Sequence, residues 1–485
     1  MVFNSLAYLL FFPLTVLLYF LIPRKLKNSW LLVTSCAFYA YWSLKYAFLL
    51  LGLTVISYFC ARLMEKRTGT ARKWICTASV ILVLAVLFFF KYTGFAAETC
   101  NSLLGLMNAG WVFRVPSLIL PIGISFYTFQ IVGYLIDVYR DTISAEKDFI
   151  SYALFVLFFP KLIEGPIERY DHMRDQFAQP KSFEWDRFVD GTLLMLWGYF
   201  LKMVIADRAA VFVDSVYSAE EAAGSAILFA TVLYGFQIYC DFAGYSLIAI
   251  GSAKILGFEL MENFRAPYLA VSVKDFWRRW HISLNKWLRD YVYIPLGGSH
   301  GSRAAYHRNL MITFLISGLW HGASWNFVVW GGLNGLFQIV EDILGSVYKR
   351  SSEHAVQLQG IVFWKRVLTF VLVDFAWLFF RARNLTDAMH KIRAMVLRPQ
   401  WTALSAPEIY SYGLNLKNLR LLIGSIALVI VCDLLNERGI VIREKIHAQF
   451  WLNRILIISG AILFIIVFGI WGSGYDAASF IYTSF

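Results

Sequence analysis

Residues 74–92 read WICTASVILVLAVLFFFKY, an apolar run that contains a single charged residue, Lys91. A transmembrane helix needs about 20 mostly apolar residues to cross the hydrocarbon core of a bilayer, and this run has that length. Comparable runs recur along the whole chain, at 5–22, 29–44, 46–64, 117–136, 188–206, 225–240, 309–320 running into 323–340, 366–381, 419–435 and 451–471. The pattern predicts an all-α polytopic membrane protein with roughly eleven spans.

The composition supports the same class. Of 485 residues, 59% are hydrophobic and only 16% are charged, whereas soluble globular proteins carry about 25% charged residues. The aromatic content of 18% is typical of rings that lie at the membrane–water interfaces. The formal net charge of +12 does not indicate nucleic-acid binding, because the basic residues are scattered between apolar runs, as in cytoplasmic loops that face anionic lipid.

The basic loops predict the orientation of the chain. Positive charge is dense at 24–27, 62–73 and 438–445, and such loops remain in the cytoplasm. The N-terminus and the tail 472–485 are therefore expected outside. Residues 3–22 are expected to be a retained first span, because basic residues follow this run and none precedes it.

The organisation of the chain suggests one domain over residues 1–485. No linker, low-complexity tract or internal repeat divides it. Shorter apolar pieces at 150–163 and 242–257 are expected to be re-entrant or buried helices, which are tolerated where protein covers the backbone. The six cysteines lie far apart and show no zinc-ligand spacing, so no metal site is expected.

The segment 271–308 is the least membrane-like stretch in the middle of the chain. Written as one helix, 275–291 places large aromatic and aliphatic side chains on one side and basic residues mainly on the other. This pattern is typical of a helix that lies in the membrane interface. The predicted helix contains His281.

A second histidine lies at membrane depth. The apolar run that begins at Asn309 reaches His321, which is flanked by Gly318 and Gly322. An ionisable residue in hydrocarbon is costly and is a functional candidate. Histidine suits general-base chemistry because its ordinary pKa is about 6.5, and burial favours the neutral imidazole. From the residues alone, a core histidine hydrogen-bonded across helices explains His321 equally well.

Several stretches together resemble one family, the membrane-bound O-acyltransferases, and within it the bacterial branch that acetylates exported polysaccharides such as alginate or peptidoglycan. The core motifs fall within 121–335 and read PIGISFYTFQ at 121–130, DFAGYS at 241–246, ENF at 262–264, DFWRRWHIS at 275–283, WLRDY at 287–291, YIPLGG at 293–298 and LWHG at 319–322. The resemblance implies a helical bundle with re-entrant and interfacial helices around a central tunnel, in the cytoplasmic (inner) membrane of a bacterium.

The resemblance also implies roles for residues and partners. His321 would be the family's essential histidine, acting as general base, and His281 the second histidine in the same reaction tunnel. Acetyl-CoA would be the cytoplasmic donor, with no bound cofactor and no metal. The acceptor would be an exported polysaccharide, reached through an extracytoplasmic partner, an SGNH-hydrolase-like transferase. The candidates for meeting the donor are Arg278, Arg279, Asn285, Lys286 and Arg289, although the basic ones could equally anchor the chain to lipid headgroups.

The last six residues, FIYTSF at 480–485, resemble a C-terminal motif of such acylation systems, in which the tyrosine is thought to carry the acyl group outside. This implies that Tyr482 is an acyl acceptor. The alternative is an ordinary tyrosine at a membrane edge.

Two other functions remain open at this stage. Many alginate-type relatives have Asp after the Gly-Tyr-Ser run, whereas this chain has Leu247, which resembles the branch that passes D-alanine from a carrier-protein thioester to teichoic acid. The motif at 293–298 and the tail at 480–485 favour the acetylating branch. A transporter would show similarity between the two halves of the chain, and no such similarity is detectable here.

Overall fold

The structure is a computed structural model, and its description covers residues 1–108, 110–179, 181–351, 359–405 and 407–472. Over these ranges the chain is helical, without β-strands. The α-helices in chain order are α1 (Leu6–Leu21), α2 (Lys27–Ala40), α3 (Leu44–Glu65), α4 (Gly69–Lys91), α5 (Thr93–Leu106), α6 (Ile124–Tyr139), α7 (Phe149–Leu157), α8 (Phe159–Leu162), α9 (Tyr170–Ala178), α10 (Trp185–Tyr199), α11 (Asp207–Ser218), α12 (Gly224–Leu256), α13 (Val273–Arg279), α14 (Ile282–Leu288), α15 (Arg303–His321), α16 (Trp325–Ser351), α17 (Gln359–Arg381), α18 (Leu385–Leu397), α19 (Leu416–Glu437), α20 (Ile442–His447) and α21 (Trp451–Phe468).

Shorter helical segments connect some of these helices. Two are π-helical, Phe200–Ala206 between α10 and α11 and Arg289–Tyr293 after α14. Four are 3₁₀-helical, namely Arg24–Leu26, Pro267–Leu269, Trp401–Leu404 and Glu408–Tyr412.

Seven helical stretches in the described part of the chain are long and apolar enough to cross a membrane. They are Leu44–Glu65, Gly69–Lys91, Trp185–Ser218, Gly224–Leu256, Trp325–Gly345, Leu416–Glu437 and Trp451–Phe468, and the apolar helix Leu6–Leu21 is shorter. The prediction of an all-helical, multi-pass membrane protein is therefore confirmed.

Two segments are divided into helices differently from the sequence-based prediction. The runs 225–240 and 242–257 are not separate, because α12 continues through Asp241 as one helix of 33 residues. The Asp241 carboxylate does not interrupt α12, since the buried Lys202 ammonium lies 2.7 Å from it. Conversely, the prediction of a single helix over 275–291 is wrong. The segment is broken into α13 and α14 at His281.

The chain divides into two compact units, Met1–Thr192 with Ile248–Met261, and Leu193–Leu247 with Glu262–Phe485. In the first unit α2 packs against α7, and α4 and α3 pack against α6. The buried Lys161 ammonium donates hydrogen bonds to the Gln130 amide oxygen and to the Phe155 carbonyl. The expectation of one functional domain stays a prediction.

In the second unit, α15 and α16 form a helical hairpin with very close backbones. A Cβ atom on Gly318 would lie 2.1 Å from the Phe327 carbonyl oxygen, and one on Gly331 would lie 2.3 Å from the Phe314 carbonyl oxygen. Small residues at such crossings let membrane helices approach each other, and Gly318 and Gly331 serve this purpose here. The hairpin holds His321 at the last position of α15.

Candidate functional site

His281 lies at the break between α13 and α14 and is fully buried. Its φ of 44° and ψ of 54° place it in the left-handed region, which only glycine and occasionally Asn or Asp adopt routinely. The Asn285 amide donates to the carbonyl oxygens of Trp277 (2.7 Å) and Trp280 (2.6 Å). These hydrogen bonds satisfy two carbonyl groups at the end of α13, where the helix is interrupted.

A polar network holds the beginning of α14 in place. The Ser283 hydroxyl donates to the Asn263 amide oxygen at 2.6 Å, and the Asn263 amide donates to the Ser246 hydroxyl of α12 at 3.1 Å. The ring of Phe242, also on α12, meets the His281 imidazole edge-on at a centroid distance of 4.6 Å. Helix α12 therefore positions His281 through both polar and aromatic contacts.

His321 is 2% exposed and is enclosed by aromatic rings. The centroids of Trp320, Trp330 and Phe380 lie 4.9, 5.0 and 5.3 Å from its imidazole. The Asn326 amide donates to the Ala382 carbonyl at 2.7 Å, which ties the start of α16 to the end of α17. The aromatic walls exclude water from the imidazole and restrict its orientation.

The structure brings the two histidines together. Their ring centroids are 6.4 Å apart, and His281 also contacts the Trp320 ring at 5.8 Å. Burial lowers the pKa of His281 to about 3, so this imidazole is neutral at physiological pH. Two buried imidazoles at this separation can act on the same small reacting group, since general bases work over hydrogen-bond distances.

A second layer of tryptophans surrounds the two histidines. The Trp377 ring stacks on Trp330 at 5.6 Å and packs against Trp280 at 5.0 Å, and the Trp277 indole N–H donates to the Asn334 amide oxygen at 3.1 Å. Sequence analysis assigned Trp330 and Trp377 only to apolar spans. Nothing in their spacing marks them as neighbours of His321, because the contacts join different helices.

A buried ion-pair group lies next to Phe242, and its central residue, Lys202, was not predicted from the sequence. The Lys202 ammonium lies 2.7 Å from Asp241 and 2.8 Å from Asp207, and all three side chains are at most 9% exposed. Lys202 belongs to the π-helical segment Phe200–Ala206, and such segments are frequent at functional sites. Because Asp241 directly precedes Phe242, these ion pairs fix the part of α12 that contacts His281.

The predicted donor-binding residues do not gather at the histidines. Arg279 binds Glu437 through two hydrogen bonds of 2.7 and 3.1 Å and contacts Asp275 at 3.1 Å, and the Asn285 amide is engaged by the two backbone carbonyls. Arg278, Lys286 and Arg289 are exposed. Tyr482 lies outside the described residues. Among the residues that are described, no cluster of His, Cys, Asp and Glu could hold a metal ion.

Comparisons with known proteins fit this arrangement. The model of the membrane-bound O-acyltransferase family matches residues 140–380. The probable alginate O-acetylase AlgI of Azotobacter vinelandii is 38% identical, over 83% of this chain and 79% of that protein. The peptidoglycan O-acetyltransferase of Helicobacter pylori is 36% identical, over 80% of this chain and 78% of its own length. The teichoic acid D-alanyltransferase of Streptococcus thermophilus is 25% identical over 61% of this chain.

Proposed function

Because the chain belongs to the membrane-bound O-acyltransferase family, we propose that it passes an acetyl group from cytoplasmic acetyl-CoA across the membrane for O-acetylation of an exported cell-envelope polysaccharide. The chain is a multi-pass membrane protein and an O-acyltransferase. The observation that carries the proposal is the pair of buried imidazoles, His281 and His321, whose centroids lie 6.4 Å apart inside a tryptophan-rich enclosure.

His321 acts as the general base in this proposal. Its neutral imidazole takes the proton of an acceptor hydroxyl while the hydroxyl oxygen attacks the thioester carbonyl, and the resulting tetrahedral oxyanion collapses by expelling the thiolate. The imidazolium then returns the proton to the thiolate, so an ester and a free thiol leave. A positioned base contributes about 10²–10⁴-fold to such a step.

His281 has the complementary role of stabilising the oxyanion or orienting the donor. A neutral imidazole keeps one N–H donor, and its low pKa prevents it from competing for the proton that His321 takes. The surrounding tryptophans keep water from hydrolysing the thioester. Neither a nucleophilic serine nor a metal is needed, since the thioester is already activated.

The donor is the acetyl thioester of coenzyme A. Supporting this, the alginate O-acetylase of Azotobacter vinelandii and the peptidoglycan O-acetyltransferase of Helicobacter pylori share 38% and 36% identity with the chain, against 25% for the D-alanyltransferase of Streptococcus thermophilus. The alternative is D-alanyl transfer from a carrier-protein thioester to teichoic acid, for which Leu247 is the supporting residue. A transporter is a weaker alternative, because membership of the acyltransferase family supports a different activity.

After leaving the donor, the acyl group is passed to the outer side of the membrane in two steps. Tyr482 receives the acyl group from the donor, and an extracytoplasmic SGNH-hydrolase-like transferase delivers it to the polymer. The protein lies in the cytoplasmic membrane of a bacterium with both termini outside, and exposed Arg278, Lys286 and Arg289 meet the donor phosphates on the cytoplasmic side. Full polymer acylation by a Tyr482→Phe variant in cells would contradict the role of Tyr482.

A cell-based assay tests the function. Cells that lack the native protein are supplied with wild type or with His321→Ala, and base-released acetate is measured in their purified envelope polysaccharides. We expect acetate with wild type and a loss of at least 10²-fold with the variant, because the general base is absent. Equal acetate in both strains, with equal amounts of protein in the membrane, would contradict the proposal.

A further inference from the structure

A cavity of about 210 Å³ lies in the second unit, and two of its lining residues, Tyr239 and Tyr268, pack against Trp280. Its walls come from α12, α17, α19 and the segment around Tyr268, and they are apolar except for Asp433 and the tyrosine hydroxyls. The residues that line it are Val232, Phe236, Tyr239, Tyr268, Leu269, Phe370, Val429, Ile430 and Asp433.

Asp374 does not line the cavity itself but lies close to Tyr268, which does. Its side chain is 6% exposed, and Oδ1 has no hydrogen-bond partner among the described residues. A Cβ atom on Gly235 would lie 2.7 Å from that oxygen and 3.4 Å from the hydroxyl of Tyr268, which lines the cavity. The absence of a side chain at position 235 therefore makes room for the Asp374 carboxyl group, whose Oδ1 receives no hydrogen bond from the described residues.

One face of α17 links the cavity to His321. Phe370 lines the cavity, Asp374 follows one turn later, and Trp377 and Phe380 pack around the histidines. At a rise of 1.5 Å per residue, Asp374 lies roughly 9 Å along the helix axis from Phe380. Along α17, Asp374 therefore lies between the cavity-lining Phe370 and Phe380, which contacts His321.

Other buried polar atoms near this route also lack partners among the described residues. They include an acceptor, the Gln237 amide oxygen, a donor, the Trp280 indole N–H, and the Tyr234 hydroxyl, which can be either. Leaving a buried polar group unpaired costs free energy, so an alkyl chain would be a poor occupant. A narrow molecule of alternating methylene and amide groups can pair with both the unpaired donors and the unpaired acceptors, since an amide has an N–H donor and a C=O acceptor.

We infer that Asp374 is a donor-binding residue, whose carboxyl group hydrogen-bonds an amide in the pantetheine arm of the acyl thioester. The inference rests on the proposed function and specifies its donor site. In an extended arm the second amide is roughly 9 Å from the thioester sulfur. Asp374 lies at the same axial distance from Phe380, whose ring contacts His321, the proposed base. A carboxylate accepts from the amide N–H, and a carboxylic acid also donates to the amide C=O. Coenzyme A and a carrier protein share this arm.

Donors of different length test the inference. Acetyl-CoA and S-acetylpantetheine contain the second amide, whereas S-acetyl-N-acetylcysteamine ends at the first. With purified protein in nanodiscs, Asp374→Leu should raise KM for both long donors about tenfold or more, with little change in kcat, and should leave KM for the short donor unchanged. Asp374→Asn, which can still donate and accept, should stay within about threefold of wild type. An equal rise for all donors, or no rise for any, would overturn the inference.

Two further measurements keep the test decisive. Gly235→Ala keeps the Asp374 carboxyl group but displaces it, because the new Cβ atom would lie 2.7 Å from Oδ1. This variant should therefore reproduce the selective loss of the long donors if Asp374→Leu fails to fold. Calorimetric binding of pantetheine and of N-acetylcysteamine needs no turnover. A wild type that binds pantetheine through Asp374 but cleaves neither an acetyl-CoA nor a D-alanyl carrier thioester would contradict the proposed function alone. Binding of pantetheine that is unchanged by both substitutions would overturn the inference.

Discussion

At the scale of single residues, His281 combines two unusual properties, a left-handed backbone and complete burial. The resemblance to the acyltransferase family implied a functional histidine here, whereas the hydrophobic periodicity placed the residue inside a helix. Hydrophobic periodicity could not predict the break, since the break depends on the Asn285 amide reaching back to two carbonyls and on Asn263 holding Ser283. For His321 the expectation of a buried histidine among apolar residues is confirmed, whereas its catalytic role stays a prediction.

The backbone at His281 predicts which substitutions the fold tolerates. A left-handed conformation costs a non-glycine residue about 1–2 kcal/mol, and Asn or Gly adopts it more easily than a β-branched residue. We expect His281→Asn to unfold in detergent near the wild-type temperature but to lose most thioester turnover, whereas His281→Val should unfold at a clearly lower temperature. Equal thermal stability of the two variants would contradict the structural account of this position.

The low pKa of His281 predicts a pH dependence of stability. The folded pKa of about 3 lies below the ordinary value of about 6.5, so between these values the unfolded chain binds a proton that the folded chain does not. The free energy of unfolding should therefore be highest above pH 6.5 and fall by up to about 1.4 kcal/mol per pH unit below it. Thermal unfolding of wild type and His281→Asn at pH 7.5 and 5 measures this. The wild type should lose more stability than the variant, and parallel losses would argue against a buried neutral imidazole.

At the scale of helices, the sequence predicted several apolar spans closely, although seven stretches in the described part of the chain, against roughly eleven predicted, are long and apolar enough to cross a membrane. The connections between helices were predicted poorly. The runs at 46–64 and 74–92 correspond closely to α3 and α4, because length and hydropathy alone decide such spans. The continuation of α12 through Asp241 was missed, since it depends on Lys202, a residue 39 positions earlier that supplies the opposite charge. Contacts between distant segments of this kind are not visible in local patterns.

The α15–α16 hairpin predicts a sharp effect of one methyl group. In Gly318→Ala the new Cβ would lie 2.1 Å from the Phe327 carbonyl oxygen, so the helices must separate, at a cost of about 1–3 kcal/mol. Because His321 is three residues away on the same helix, turnover should fall as well. Thermal unfolding and thioester cleavage in detergent check both effects.

Gly424 in α19 provides the matched control, because nothing lies within 4 Å of a Cβ atom added there. Gly424→Ala should keep wild-type stability and turnover. A Gly318→Ala variant as stable and active as this control would show that the hairpin is less tightly packed than described.

At the scale of the whole molecule, the sequence was sufficient for class and family, because these depend on many weak features that add along the chain. The all-helical membrane class and the acyltransferase family are confirmed. Within the second unit, the fold assembles the site from α12, the break between α13 and α14, the α15–α16 hairpin and the end of α17. The tryptophan enclosure and Asp374 could not be predicted from sequence, since each depends on which helices become neighbours.

Cleavage of radiolabelled acetyl-CoA by purified protein in nanodiscs tests the central claim most directly, with His321→Ala and the control variant Gly424→Ala measured beside wild type. The account predicts His321-dependent cleavage, with Gly424→Ala like wild type and His321→Ala at least 10²-fold slower. Cleavage that is equally fast in the His321→Ala variant would contradict the account, because the buried imidazole would then have no part in the reaction.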